Sequence, residues 1–265
     1  MILMGALLSI PYFDIVITVF LGAVFGSFAS MLAHRSVAED SWLAQIGAGK
    51  RSFCPSCGAQ LGFSDLIPVL SWLMHKGKCA HCTAPIGQSY LAVELGSIAM
   101  CLGILAVHGL DGGALLMMLA VPLLLALLVA DIRHMILPDI LIFALGALGA
   151  LHIGWLVYGA PYKAEDILIN YGVGGVIYGA LLWGVGVLVT KMLRKEALGF
   201  GDVKYFVAAG LWLGLMMLGY MMIFVGVAGM LFAFIWRTFK QEEIFPFGPA
   251  LIISTYILFL IGGSL

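Results

Sequence analysis

From residue 205 to residue 236 the chain runs 32 residues without an Asp, Glu, Lys or Arg. Charge-free runs of this kind recur: 15–33, 112–130, 140–158, 167–190 and 249–265 carry none of these four residues, and 90–107 carries only Glu94. A stretch of about 18 or more apolar residues is long enough to cross a hydrocarbon core of about 30 Å as a helix. Seven such stretches in 265 residues exclude a water-soluble fold, and composition agrees. Hydrophobic residues make up 63% and charged residues 10%, with a mean hydropathy of +1.10, against about 25% charged in soluble domains. The expected fold is an all-α polytopic membrane protein. A net charge of −1 excludes a nucleic-acid binder, which needs a basic face. No basic stretch precedes 15–33, so it is expected to stay as a membrane helix rather than be cleaved as a signal peptide.

The 205–236 run fixes the span count. As one straight helix it would be about 48 Å long at 1.5 Å per residue, well beyond the bilayer core. As two helices turning near Gly214–Gly219, it places Lys204 and Arg237 on one side. That turn gives eight helices, with 12 of the 13 Lys and Arg on one face and Lys163 alone on the other. By the positive-inside rule the crowded face is cytosolic, and both termini lie outside the cytosol. The alternative is seven spans. Three parts follow: residues 1–34 as a first transmembrane helix, 35–89 as the one large cytosolic loop, and 90–265 as a transmembrane core.

The loop carries Cys54, Cys57, Cys79 and Cys82 as C-x2-C-x21-C-x2-C, close to zinc-ribbon spacing. Two such pairs can converge tetrahedrally on one structural Zn²⁺, and a reducing compartment favours metal over disulfides. The alternatives are four metal-free thiols, or disulfides if the topology is inverted. His81 is a competing ligand. Cys101, inside an apolar span, is expected to be a packing residue.

Two acids lie where loop and membrane meet. Asp131 ends the third span, and Asp202 begins the sixth in Gly199-Phe200-Gly201-Asp202. Charges beside the bilayer mark function by default, and two carboxylates on facing helices could share a proton, one acting as base and one as acid. The structural alternatives are a helix cap for Asp202 and an ion pair for Asp131 with Arg133 or a lysine. Asp139 follows Pro138 and fits the first turn of a helix, where its charge suits the dipole. Lys204 is read as a carboxylate partner or a snorkelling anchor. Glu94 lines a cavity or bonds within the bundle, and His152 is read as packing.

Further motifs accompany these: Gly26-Ser27-Phe28 with His34-Arg35, the paired cysteines flanking Ile67-Pro68-Val69-Leu70-Ser71-Trp72, Val93-Glu94, Leu137-Pro138-Asp139, Ala197-Leu198 before the Gly-x-Gly-Asp, and Pro246-Phe247-Gly248-Pro249. In this order they resemble the type IV prepilin peptidases, membrane aspartic proteases of the GxGD type. The resemblance implies removal of a short basic leader from type IV prepilins or type II secretion pseudopilins. Cleavage would follow a glycine, at the cytosolic face of a bacterial inner membrane. It implies Asp131 and Asp202 as the catalytic pair, with Gly199, Gly201, Lys204 and Glu94 in support. It also implies S-adenosylmethionine as donor where the new N-terminus is methylated. Expected partners are the prepilin and membrane lipid, with no nucleic acid. The chain departs from the family at Ser36-Val37, Asp65-Leu66 and Leu91, all in or beside the loop. Two other readings are a GxGD protease acting on other membrane helices, and a transporter with a zinc-binding loop. Transport fits poorly, because the acids gather at one face rather than at the midplane.

Overall fold

The computed structural model describes residues 11–37, 52–194, 198–241 and 245–262. Lys50, Arg51 and Lys195, and both chain ends, lie outside them. Eight apolar helices dominate: α1 (Tyr12–Arg35), α2 (Gln88–His108), α3 (Gly112–His134), α4 (Asp139–Gly159), α5 (Gly174–Leu193), α6 (Phe200–Leu213), α7 (Leu218–Lys240) and α8 (Gly248–Gly262). Six helical stretches are long and apolar enough to cross a membrane, the fifth of them running from Pro161 to Met192. α6 and α8, with 14 and 15 residues, are shorter. No strand occurs among the described residues, only two isolated β-bridges in the loop. The chain is a multi-pass membrane protein.

The 205–236 run breaks where the turn reading puts it. Gly214 adopts φ +71°, ending α6, and a 3-10 turn at Leu215–Met217 leads into α7. A side chain at such φ is strained, so glycine suits the position. Its carbonyl accepts the buried Tyr178 hydroxyl at 3.2 Å, and an Asn170 side-chain oxygen accepts the Met216 N–H at 3.3 Å.

α3 is the central helix, 67% buried over its most apolar stretch. Asp111 caps it, accepting the Ala114 N–H at 2.6 Å, a partner for one of the first-turn amides that a helix leaves open. One core groups α3 with α4, α6, α7 and α8 around Leu124, Leu145, Tyr205 and Leu251; a smaller one groups α1, α2 and α3 around Ala29, Cys101 and Met118. Cys101 is fully buried there, as expected of a packing residue. His152 stacks on Trp212 at 5.0 Å.

Lipid tails are as apolar as leucine, so helix pairing in a bilayer relies on close backbone approach. Gly22 and Gly26, four residues apart on α1, provide it. A Cβ on either would lie 2.7 or 2.5 Å from the α2 backbone at Ile98 or Glu94. α5 and α6 meet in the same way through Gly174, Gly175 and Gly210.

Candidate active site

One end of the bundle holds most of the chemistry. α3 ends there through a left-handed Met135 (φ 54°), whose N–H bonds back to the Asp131 carbonyl at 2.8 Å. α6 begins there, with Gly199 extended as its N-cap and Asp202 in its first turn. α8 begins there at Gly248 and packs against both α3 and α6. Polar contacts tie the same end together. Arg133 donates to Ser89 at 2.8 Å, joining α3 to α2, and Lys204 contacts both Asp139 oxygens at 2.8 and 2.6 Å, joining α6 to α4. The described basic residues gather at this end and in the loop beside it; Lys163 is at the other end.

Asp131 is 5% exposed and Asp202 9%. Asp131 does not pair with Arg133. Its Oδ2 accepts the N–H of Gly248 at 2.7 Å. A Cβ on Gly248 would sit 2.6 Å from that oxygen, so only glycine lets the α8 N-terminus come this close. Asp202 stands in the first turn of α6, which packs against α8. Its own carboxyl fills the space beside Gly199, where a Cβ would be 3.1 Å from Oδ2. Gly201 lets α6 settle against Leu137, 3.2 Å from where its Cβ would be. Gly201 therefore brings the Asp202 helix against the turn that follows Asp131, while Gly199 leaves room for the Asp202 carboxyl. Both acids are buried, Asp131 against the N-terminus of α8 and Asp202 in the first turn of α6.

Asp139 and Lys204 stand apart from this pair. Their ion pair is half-exposed, its side chains 53% and 31% accessible, and Asp139 occupies the first turn of α4 behind Pro138. Sequence reasoning missed Gly248 as a site residue; its signal was the Pro-Phe-Gly-Pro motif.

The four loop cysteines converge, with every Sγ within 4.8 Å of the others and Cys54 Sγ 3.9 Å from Cys82 Sγ. Four Zn–S bonds of about 2.3 Å in a tetrahedron give sulfur–sulfur edges of about 3.8 Å, so the thiols fit a zinc ion. Backbone amides of Cys57 and Ser56 point at the Cys54 sulfur and hold its thiol down to about 6, favouring the thiolate a metal needs. His81 adds its backbone N–H to Cys79 Sγ at 3.4 Å and is not in the converging set.

The two half-sites are one unit repeated at an offset of 25 residues. Cys54 N bonds Ala59 O and Cys79 N bonds Ala84 O; Gly58 N bonds Cys54 O and Thr83 N bonds Cys79 O; Leu61 N bonds Ser52 O and Ile86 N bonds Gly77 O. The bridges Phe53–Gln60 and Lys78–Pro85 repeat likewise. The repeat is also present in the residues: Cys54, Cys57, Ala59, Gly62 and Ser64 recur as Cys79, Cys82, Ala84, Gly87 and Ser89.

Glu94 sits apart from the aspartates, half-buried near the start of α2, and its Oε2 accepts the Val69 N–H at 2.7 Å. Val69 has φ 63° and ψ −52°, and Leu70 N bonds Pro68 O across it at 2.6 Å. This is the rare γ-turn with positive φ, strained for a β-branched residue.

Comparison with known proteins gives consistent matches. Residues 20–108 match the family model of the bacterial peptidase A24 N-terminal domain, and 118–234 match that of the type IV leader peptidase family. A type 4 prepilin-like proteins leader peptide-processing enzyme of Escherichia coli O78:H11 is 36% identical over 204 residues, 77% of this chain and 73% of its own length. A prepilin leader peptidase/N-methyltransferase of Burkholderia pseudomallei is 32% identical over 275 residues, covering 92% and 86%. One of Pseudomonas aeruginosa is 31% identical over 288 residues, covering 99% and 96%. No solved structure matches.

Proposed function

The chain belongs to the type IV leader peptidase family, and we propose on that premise that Asp131 and Asp202 are the pair with which it removes prepilin leaders. It is a membrane peptidase acting on type IV prepilins, of a family whose members are also named N-methyltransferases. The hydrogen bond from Gly248 to Asp131 carries the division of labour. A carboxylate facing a backbone N–H at a helix N-terminus is favoured in its charged form. With Asp131 as the base, Asp202 is the partner that carries the proton in such a pair. Asp131 takes a proton from the attacking water, and Asp202 gives its proton to the leaving nitrogen. Gly201 permits the approach of α6 to Leu137, and Gly199 leaves room for the Asp202 carboxyl. Lys204 holds α6 to α4 through Asp139, and Glu94 fixes the loop through Val69.

The working division is residues 1–34 as anchor helix, 35–89 as loop and 90–265 as peptidase core. The basic end faces the cytosol of a bacterial inner membrane by the positive-inside rule, where a reducing compartment keeps the four thiols available for structural Zn²⁺. The methyl donor is S-adenosylmethionine. The substrate is a prepilin or pseudopilin, met within the lipid bilayer.

The test is leader removal in membranes. Asp131→Asn and Asp202→Asn should each lower the rate by about 10²–10⁴-fold, the scale of a lost acid or base, while Asp139→Asn stays within about tenfold. Wild-type-like cleavage by either of the first two variants would sink the assignment.

A further inference from the structure

The last turn of α3 carries the proposed base, yet packing does little to hold it. Asp131 is buried, but Ile132, Arg133, His134 and Met135 after it are all exposed. On the α1 side, Ala130 and Arg133 line a cavity of about 230 Å³ whose other wall is Ala33 and His34. The helix end meets a gap there rather than close-packed side chains. Two hydrogen bonds hold it instead. Asp131 Oδ2 accepts the Gly248 N–H at the start of α8, and the Arg133 guanidinium donates to Ser89 Oγ at the start of α2. At about 100° per residue, side chains two apart leave a helix on opposite faces. The terminal turn, closed by the Met135 N–H on the Asp131 carbonyl, is thus tied from two sides.

The anchor of the second tie belongs to the cysteine loop as much as to α2. Gly87 is the N-cap of α2, and Ser89 is in its first turn. The chain just before it is the second cysteine half-site, where Cys79 N bonds Ala84 O, Thr83 N bonds Cys79 O and Ile86 N bonds Gly77 O. The first half-site ends differently, in a short 3-10 turn at Ser64–Leu66. The second therefore hands its rigidity straight to a membrane helix, and Ser89 is where that helix meets α3. We propose that Arg133 is a positioning residue for Asp131, and that its bond to Ser89 couples occupancy of the four-cysteine site to cleavage. This rests on Asp131 as the base. With the half-site held by metal, Ser89 is fixed and the Arg133 tie keeps the end of α3 in register with the Gly248 amide. With the half-site slack, Ser89 shifts, the tie loosens and the Asp131 carboxylate leaves its place.

The test uses the full chain purified from membranes with its zinc. It reads leader cleavage, zinc content and amide hydrogen exchange at the end of α3. Ser89→Ala and Arg133→Met should each lower kcat about tenfold with KM little changed, short of the roughly 10²-fold that a misplacement of about 1 Å can cost. Zinc content should stay at the parent's level, which reports a folded loop. The double variant should be no slower than either single one, as expected of two residues acting through one bond. Ser89→Thr, which keeps the hydroxyl, should bring kcat back to within about twofold. The Met135 amide should exchange faster in Ser89→Ala, and also in the parent once a chelator has removed its zinc. Chelation should slow cleavage by the parent and slow Ser89→Ala no further. Parent-like kcat and exchange in Ser89→Ala, or an equal fall on chelation in both proteins, would overturn the tie while leaving Asp131 as the base. Cleavage by Asp131→Asn at the parent's rate would instead remove the assignment on which the proposal rests.

Discussion

Gly248 has no side chain, yet it is the residue on which the Asp131 environment turns. Alanine there keeps the N–H but drives a methyl group to 2.6 Å from Oδ2, so the carboxylate must move off the amide. A hydrogen bond to a charged group contributes about 1.5–3 kcal/mol, which is about 10- to 100-fold in rate. Gly248→Ala should lower kcat by about that factor with little change in KM, measured on a pilin precursor in detergent; an unchanged kcat would remove Gly248 from the site. The two acids stand out in the sequence because charge beside a membrane is scarce. The amide partner was not, because Gly248 and Asp131 are 117 residues apart and a backbone N–H leaves no mark on residue type. Val69 shows the same limit: a valine in a strained turn reads as an ordinary apolar residue.

At the scale of elements, α1 is held to α2 by absence of side chains. Gly22→Leu or Gly26→Leu should lower thermal stability in detergent, by about 1–3 kcal/mol if the helices part only slightly. Gly96→Leu, with nothing within 4 Å of its Cβ position, should not. Equal midpoints for all three variants would refute close backbone packing as the bond between these helices. The described residues of the loop have no strand and little apolar core, so a metal at the four cysteines is expected to hold its fold. A strong chelator should make residues 52–86 susceptible to protease while the helices stay protected; a loop equally resistant without metal would show that it folds unaided. The converging cysteines and the helix break at Gly214 were both legible, the first from spacing and the second from the length a bilayer allows. The 25-residue repeat could be read from Cys54-x2-Cys57-x-Ala59 and Cys79-x2-Cys82-x-Ala84, but its extent became plain only in the hydrogen bonds, where Gly58 in one copy is answered by Thr83 in the other.

For the whole molecule, orientation follows from where the basic residues collect. Single cysteines introduced at Lys163 and at Lys240 in a chain lacking exposed thiols should react with an impermeant reagent from opposite sides of the membrane, Lys163 from the outside. Labelling of both from one side would invert or break the topology. The two short helices add a mechanical consequence. At 1.5 Å per residue α6 and α8 span about 21 and 22 Å, less than the hydrocarbon core of about 30 Å, and both begin beside the buried acids. Mismatch of this size is relieved by local thinning of the bilayer or by bending the surrounding lipid. Thinning of this kind would draw the membrane surface toward the acids, and a dent in the lipid would then give water its route to them. Leader cleavage in vesicles should then slow as acyl chains lengthen, with the lipid itself setting how deep the water must reach.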